Sequence, residues 1–221
     1  GPAVGTAIDQ IDLLRSRAFP TAMVLPLQFP STDDGLATGI LRLANFYKKP
    51  LIVYIKSDGY LKPQTVAKLV ADGVVSAVKY GTVRRDPADD PYLSELTQCV
   101  DPKMILSGIG ETPAIIHLRD FGLQSFTSGS VCVAPRGSMK MLKLIKAGEY
   151  DEAGDIREAY MALEACRDSI SPIRTLHEAV TLAGIADMGP MLPMLSNIGA
   201  EHHERVGAAA RALLAHDLAV A

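Results

Sequence analysis

Residues 51–80 read LIVYIKSDGYLKPQTVAKLVADGVVSAVKY, and this stretch decides the fold. Residues 51–55 are apolar and β-rich, residues 63–71 repeat their apolar side chains at helical spacing, and residues 74–79 are β-rich again. Pro63, just inside the middle segment, suits the first turn of a helix, where a missing N–H leaves no bond unmade. A strand, a helix and a second strand in so short a span form a βα unit. Such units predict parallel strands.

Outward from this unit the same order recurs. Apolar runs at 21–26, 103–107 and 123–127 add three strands, with helical periodicity at 36–47, 91–99, 112–121 and 138–147. Gly148 fits the stop of the last of these helices. Residues 2–5 read as a weak sixth strand. Beyond Gly148 the strand pattern ends, and 150–169, 172–182 and 199–215 read as helices. The expected fold is α/β, a (β/α)8 TIM-type barrel. Residues 1–148 are expected to supply barrel βα units and 149–221 a C-terminal helical region packed on the barrel. A closed barrel needs eight strands, so the chain is expected to be N-terminally incomplete and to start inside the fold.

With 48% apolar and 21% charged residues and a net charge of −3, the chain has the composition of a globular domain with a large core. Lys and Arg are scattered or stand beside Asp and Glu, which argues against a nucleic-acid partner. No apolar run is long enough for a bilayer, and the chain does not open with a basic-then-apolar leader. No membrane is therefore expected, and a cytoplasmic location is. Cys99, Cys132 and Cys166 are far apart, with no CxxC pair or histidine at ligand spacing. They are read as reduced and mostly buried, with no metal site.

In parallel α/β folds the loops at the carboxyl ends of the strands build the active site. Lys79 ends an apolar strand, with Val75 and Ala77 expected on its face. Desolvation there lowers an amine's pKa and yields a nucleophile for a ketone; the plain alternative is a lysine reaching solvent or a carboxylate. Alternation in residues 51–56 sets Ile52, Tyr54 and Lys56 against Leu51, Val53 and Ile55. With the apolar set against the helices, Tyr54 and Lys56 point inward. Tyr54 is either a functional phenol or a core tyrosine with a satisfied hydroxyl, and Lys56 is a rival amine, a solvated cation or an anion ligand. Ser107-Gly108-Ile109-Gly110 and Ser128-Gly129-Ser130 follow two strands. Small residues there make room for a ligand and offer N–H groups to a carboxylate or phosphate, although glycine also serves tight turns. His202 and His203 read as surface residues, Met188, Met191 and Met194 as packing or interface, Arg174 and His177 as helix surface, and Glu111 as a first-turn helix residue.

Taken together these residues resemble the dihydrodipicolinate synthase and N-acetylneuraminate lyase superfamily, over most of the chain. Residues 26–36, PLQFPSTDDGL, are similar to that family's proline-aromatic-aromatic segment and its closing Gly-Leu. Tyr54 in IVY resembles the proton-relay tyrosine and Lys79 in AVK the Schiff-base lysine. Ser107-Gly108 is similar to the Ser-Gly pair after the next strand, residues 126–135 to the region after the last barrel strand, and AGEY at 147–150 with the following helices to the helical tail. The resemblance implies a lyase without cofactor or metal. It would act on pyruvate or a 2-keto-3-deoxy (sugar) acid through a lysine Schiff base, by aldol cleavage or condensation or by dehydration. It implies Lys79 and Tyr54 as catalytic residues, Ser107, Gly108, Thr127, Ser128, Gly129 and Gln28 as substrate-binding residues, and a homo-oligomer, tetramer or dimer.

Three features depart from the pattern. The family's Gly-Thr-Thr-Gly-Glu carboxylate-binding loop does not occur in these 221 residues. Gln28 stands where many members carry a second relay tyrosine, and a carboxamide is no acid near neutral pH. Ser57-Asp58-Gly59-Tyr60 occupies the place of the arginine that binds the synthases' second substrate. Two other readings are therefore kept: a catalytically inactive barrel paralogue that binds a keto or sugar acid, and a chain that serves only in an oligomer or as a folding partner.

Overall fold

The computed structural model describes residues 3–26 and 30–220. Contacts divide the chain into two compact units, Gly1–Ile109 with Ile116–Phe126, and Gly110–Ile115 with Thr127–Ala221. The expected boundary at residue 148 and this one differ in the placement of the helix Pro135–Ala147, which packs on helices that follow it.

The first unit holds a five-stranded parallel sheet in sequence order, β1 (Ala22–Val24), β2 (Leu51–Ile55), β3 (Val75–Tyr80), β4 (Ile105–Ser107) and β5 (Ser125–Phe126). Its helices are α1 (Val4–Arg15), α2 (Asp33–Tyr47), α3 (Pro63–Ala71), α4 (Pro91–Cys99) and the short α5 (Ala114–Arg119), which spans the boundary. Five consecutive parallel strands with intervening helices are the order of a (β/α)8-type barrel. Local chemistry sets the helix starts: Thr32 caps α2 by accepting from Gly35 N–H, Asp90 caps α4 by accepting from Leu93 N–H, and Pro63 and Pro91 open α3 and α4. Residues 3–5 form no strand. Pro2 lies outside the described residues, and Val4 begins α1, which buries Ala7 and Ile11 one turn apart.

Leu51, Val53, Ile55, Val78 and Ile105 are at most 1% exposed and form the helix-facing core, each burial contributing roughly 1.5–3 kcal/mol. Strand β3 joins this pattern through a bulge. Leu51 pairs with Val75 but Ile52 with Ala77, so Ser76 is an extra residue. Val75 therefore lies on the helix-facing side with Leu51, whereas Ala77 and Lys79 share the side of Ile52 and Tyr54. The sequence pattern placed Val75 with Lys79 because strict alternation has no room for the extra residue.

The second unit contains α6 (Pro135–Ala147), α7 (Tyr150–Ser169), α8 (Pro172–Leu182) and α9 (His203–Ala219). Helix α7 packs on α6, α8 and α9, burying Ala153, Ile156, Tyr160 and Leu163 against residues that include Met141, Val206 and Leu213. Gly148, at φ +83°, ends α6 in the left-handed conformation that glycine adopts without strain. Asp217 accepts from Gly137 N–H at 2.7 Å and ties α9 to the start of α6. Cys166 is buried, but Cys99 and Cys132 are exposed, contrary to the expectation of mostly buried thiols. No helix among the described residues is long and apolar enough to cross a membrane.

Candidate active site

Parallel pairing sets Tyr54 directly beside Lys79 on the non-helical side of the sheet. The Lys79 Nζ lies 4.9 Å from the centroid of the Tyr54 ring. Two glycines make this possible. A Cβ on Gly81 would fall 2.6 Å from Tyr54 Cε2, and one on Gly108 would fall 2.8 Å from the Tyr80 carbonyl oxygen and 3.0 Å from Lys79 Cγ and Cε. Gly81 thus leaves room for the phenol ring and Gly108 for the lysine stem.

Burial lowers the Lys79 pKa below the ordinary lysine value, and the like charge of Lys56 lowers it further. The aromatic face opposes these effects by favouring the cation, at about 0.5–2 kcal/mol. No carboxylate pairs with Lys79 among the described residues. The amine is held near a phenol ring, with no counter-ion among the described residues.

Ser107 faces the other way. It pairs with Tyr80 rather than Lys79, is fully buried, and lies 2.8 Å from His117 Nδ1. From this position only its backbone adjoins Gly108. Burial pushes the His117 pKa down to about 4, with Asp90 acting in the opposite sense, so the ring is neutral near pH 7. Alongside, Tyr80 donates to Asp90 Oδ2 at 2.6 Å, and Arg84 NH2 bonds Asp90 at 3.0 Å and Asp58 at 2.7 Å. Arg84 thereby links the loop after β2 to the loop after β3 and the N-terminus of α4.

Thr127, Ser128 and Gly129 belong to the second unit. Thr127 accepts from Gly110 N–H at 3.0 Å, and Ser128 donates to Glu111 Oε2 at 2.8 Å. Ser138 donates to the other Glu111 oxygen. Glu111 is 0% exposed, and burial raises its carboxyl pKa against these serine bonds. It precedes α5 and anchors two serines, a role its expected place in a helix's first turn did not suggest. Glu164 accepts from Ser130 at 2.5 Å and has Arg167 NH2 3.0 Å from Oε2, at an angle too poor for a hydrogen bond. Burial outweighs this ion pair and pushes Glu164 up to about 7. Gln28 lies outside the described residues. No group of three His, Cys, Asp or Glu that could hold a metal occurs among the described residues.

A family model described as the dihydrodipicolinate synthetase family matches residues 22–213. The chain belongs to this family. Solved dihydrodipicolinate synthases share its fold. One is 18% identical with a TM-score of 0.82, the match covering 96% of this chain and 72% of that one. The enzyme from Oceanobacillus iheyensis is 19% identical with a TM-score of 0.82, covering 95% and 69%. That from Bacillus clausii is 18% identical with a TM-score of 0.81, covering 94% and 70%. No curated protein matches the chain. Homologues in the dihydrodipicolinate synthetase family are aldolase-type lyases.

Tyr54 and Lys79 both fall inside the span matched to the family. The place after Tyr54 where the resemblance expects an arginine holds Asp58, which draws in Arg84 from beyond β3. Sequence reasoning missed Arg84, Asp90, His117 and Glu164. Only Glu164 left a legible signal: it and Arg167 fall on the α7 stripe that buries Ile156, Tyr160 and Leu163. A carboxylate in an apolar stripe marks a buried polar contact.

Proposed function

We propose that this chain is a lyase that forms a Schiff base between Lys79 and the C2 carbonyl of a 2-keto acid, pyruvate or a 2-keto-3-deoxy acid. The observation that carries the reading is the pairing of Tyr54 with Lys79, with the amine 4.9 Å from the phenol ring and depressed in pKa. Neutral Nζ adds to C2, and one of its protons passes to the carbonyl oxygen to give the carbinolamine. Tyr54 supplies a proton to the resulting hydroxyl, which leaves as water and gives the iminium; solvent reprotonates the phenol. The iminium accepts the electron pair of a bond at C3, either C3–H before loss of a hydroxyl as water or C3–C4 in aldol cleavage. Hydrolysis of the imine then restores the amine.

Borohydride reduction in the presence of pyruvate, followed by peptide mass analysis, tests this. A reduced adduct on Lys79, lost in Lys79→Met, is expected. A folded protein that is stabilised by the keto acid yet traps no adduct would be a binder, and the reading would fall.

A further inference from the structure

Strand β2 ends at Ile55, and Lys56 is the next residue on the side that carries Tyr54. Its positive charge acts on Lys79, lowering the pKa of that amine. Lys56 is exposed and has no ion pair or hydrogen bond among those found for the described residues. Asp58, two residues on, is the nearest acidic residue along the chain, and Arg84 holds its carboxylate at 2.7 Å. Among the described residues, Tyr54 lies beside Lys79 and Lys56 acts on it by its charge. Strand β4 opposes Lys79 with Leu106, followed by Gly108, and neither titrates. Among the described residues, this face therefore carries two amines and no carboxylate paired with either. An anion is the ligand such a face favours.

We propose that Lys56 binds the carboxylate of the 2-keto acid and so orients its C2 carbonyl toward Lys79. This rests on the Schiff-base reading above. Burial and, after it, the like charge of Lys56 lower the Lys79 pKa, which favours the neutral amine that attacks C2 while the carboxylate lies against Lys56.

The test is borohydride trapping by the full chain, with pyruvate and with the uncharged ketone hydroxyacetone, across a pH series. The variants are Lys56→Met and Lys56→Arg, with melting curves to confirm folding. With Lys56→Met, on the alkaline plateau of each protein's pH profile, the pyruvate concentration for half-maximal trapping is expected to rise about tenfold, the scale of one charge-assisted hydrogen bond, while that for hydroxyacetone stays unchanged. The pH midpoint of trapping is expected to move upward for both ketones, and Lys56→Arg to restore both properties. Wild-type trapping on Lys79 with an unaltered Lys56→Met variant overturns the role of Lys56 and leaves the Schiff base standing. An adduct on Lys56 itself, or none in the wild type, overturns both.

Discussion

Replacing Glu164 by Gln tests the physics of the second unit directly. The Glu164 side chain is 2% exposed, and its pKa rises from 4.5 to about 7 because burial outweighs the Arg167 charge and the Ser130 bond. At about 1.36 kcal/mol per pKa unit, this shift is worth roughly 3 kcal/mol. The folded state keeps a proton that the unfolded state releases between pH 4.5 and 7, so stability is present at the acidic end and is lost as pH rises through this window. Glutamine keeps an acceptor for Ser130 and cannot titrate. Urea unfolding at a series of pH values, followed by circular dichroism, gives the difference between wild type and Glu164→Gln. That difference should move against the wild type by about 3 kcal/mol between pH 4.5 and 8. Glu111 is shifted in the same direction and is present in both proteins, so the difference reads Glu164 together with its coupling to Glu111. A difference that is flat or of opposite slope would refute the assignment of a buried, protonated carboxyl.

His117 provides the mirror case in the first unit. Its pKa falls from 6.5 to about 4, so the unfolded state takes up the proton first and stability is lost on acidification through that window, by roughly 3 kcal/mol. His117→Asn should resist acid over this range in the same urea assay, and equal acid sensitivity would contradict it. In Gly108→Ala the new methyl meets the Tyr80 carbonyl oxygen at 2.8 Å, a backbone atom that cannot swing aside. We expect a loss of about 1–3 kcal/mol in unfolding free energy and, through displacement of the Lys79 stem, roughly 100-fold slower borohydride trapping. Unchanged trapping and stability would show that the lysine does not depend on this glycine.

The sequence revealed most where a single period held. Residues 51–55, 63–71 and 91–99 form β2, α3 and α4 at the expected bounds because apolar alternation, helical spacing and Pro63 and Pro91 agree. Prediction failed where tertiary pairing sets the phase. Nothing in VVSAVK marks Ser76 as an extra residue, so the face of Val75 was misread. The side taken by Ser107 was hidden as well, because it depends on pairing with Tyr80. Residues 2–5 were read as a strand although the Ala7 and Ile11 spacing of a helix followed at once. The family resemblance, carried by Tyr54 and Lys79, agrees with the match over residues 22–213. Glu111 was the least legible, because its partners Ser128 and Ser138 lie 17 and 27 residues away.

The bulge at Ser76 divides β3 into an anchoring half and a working half. Val75 is committed to the core, and Ala77 and Lys79 to the opposite side, with one unpaired residue between them to absorb the change of phase. The strand thus contains its own phase corrector. The apolar anchor can drift in sequence, or the turn before it can alter, while the amine keeps its direction. Downstream of Ser76 there is no such slack, and one inserted residue between Ala77 and Lys79 would turn the amine into the helices.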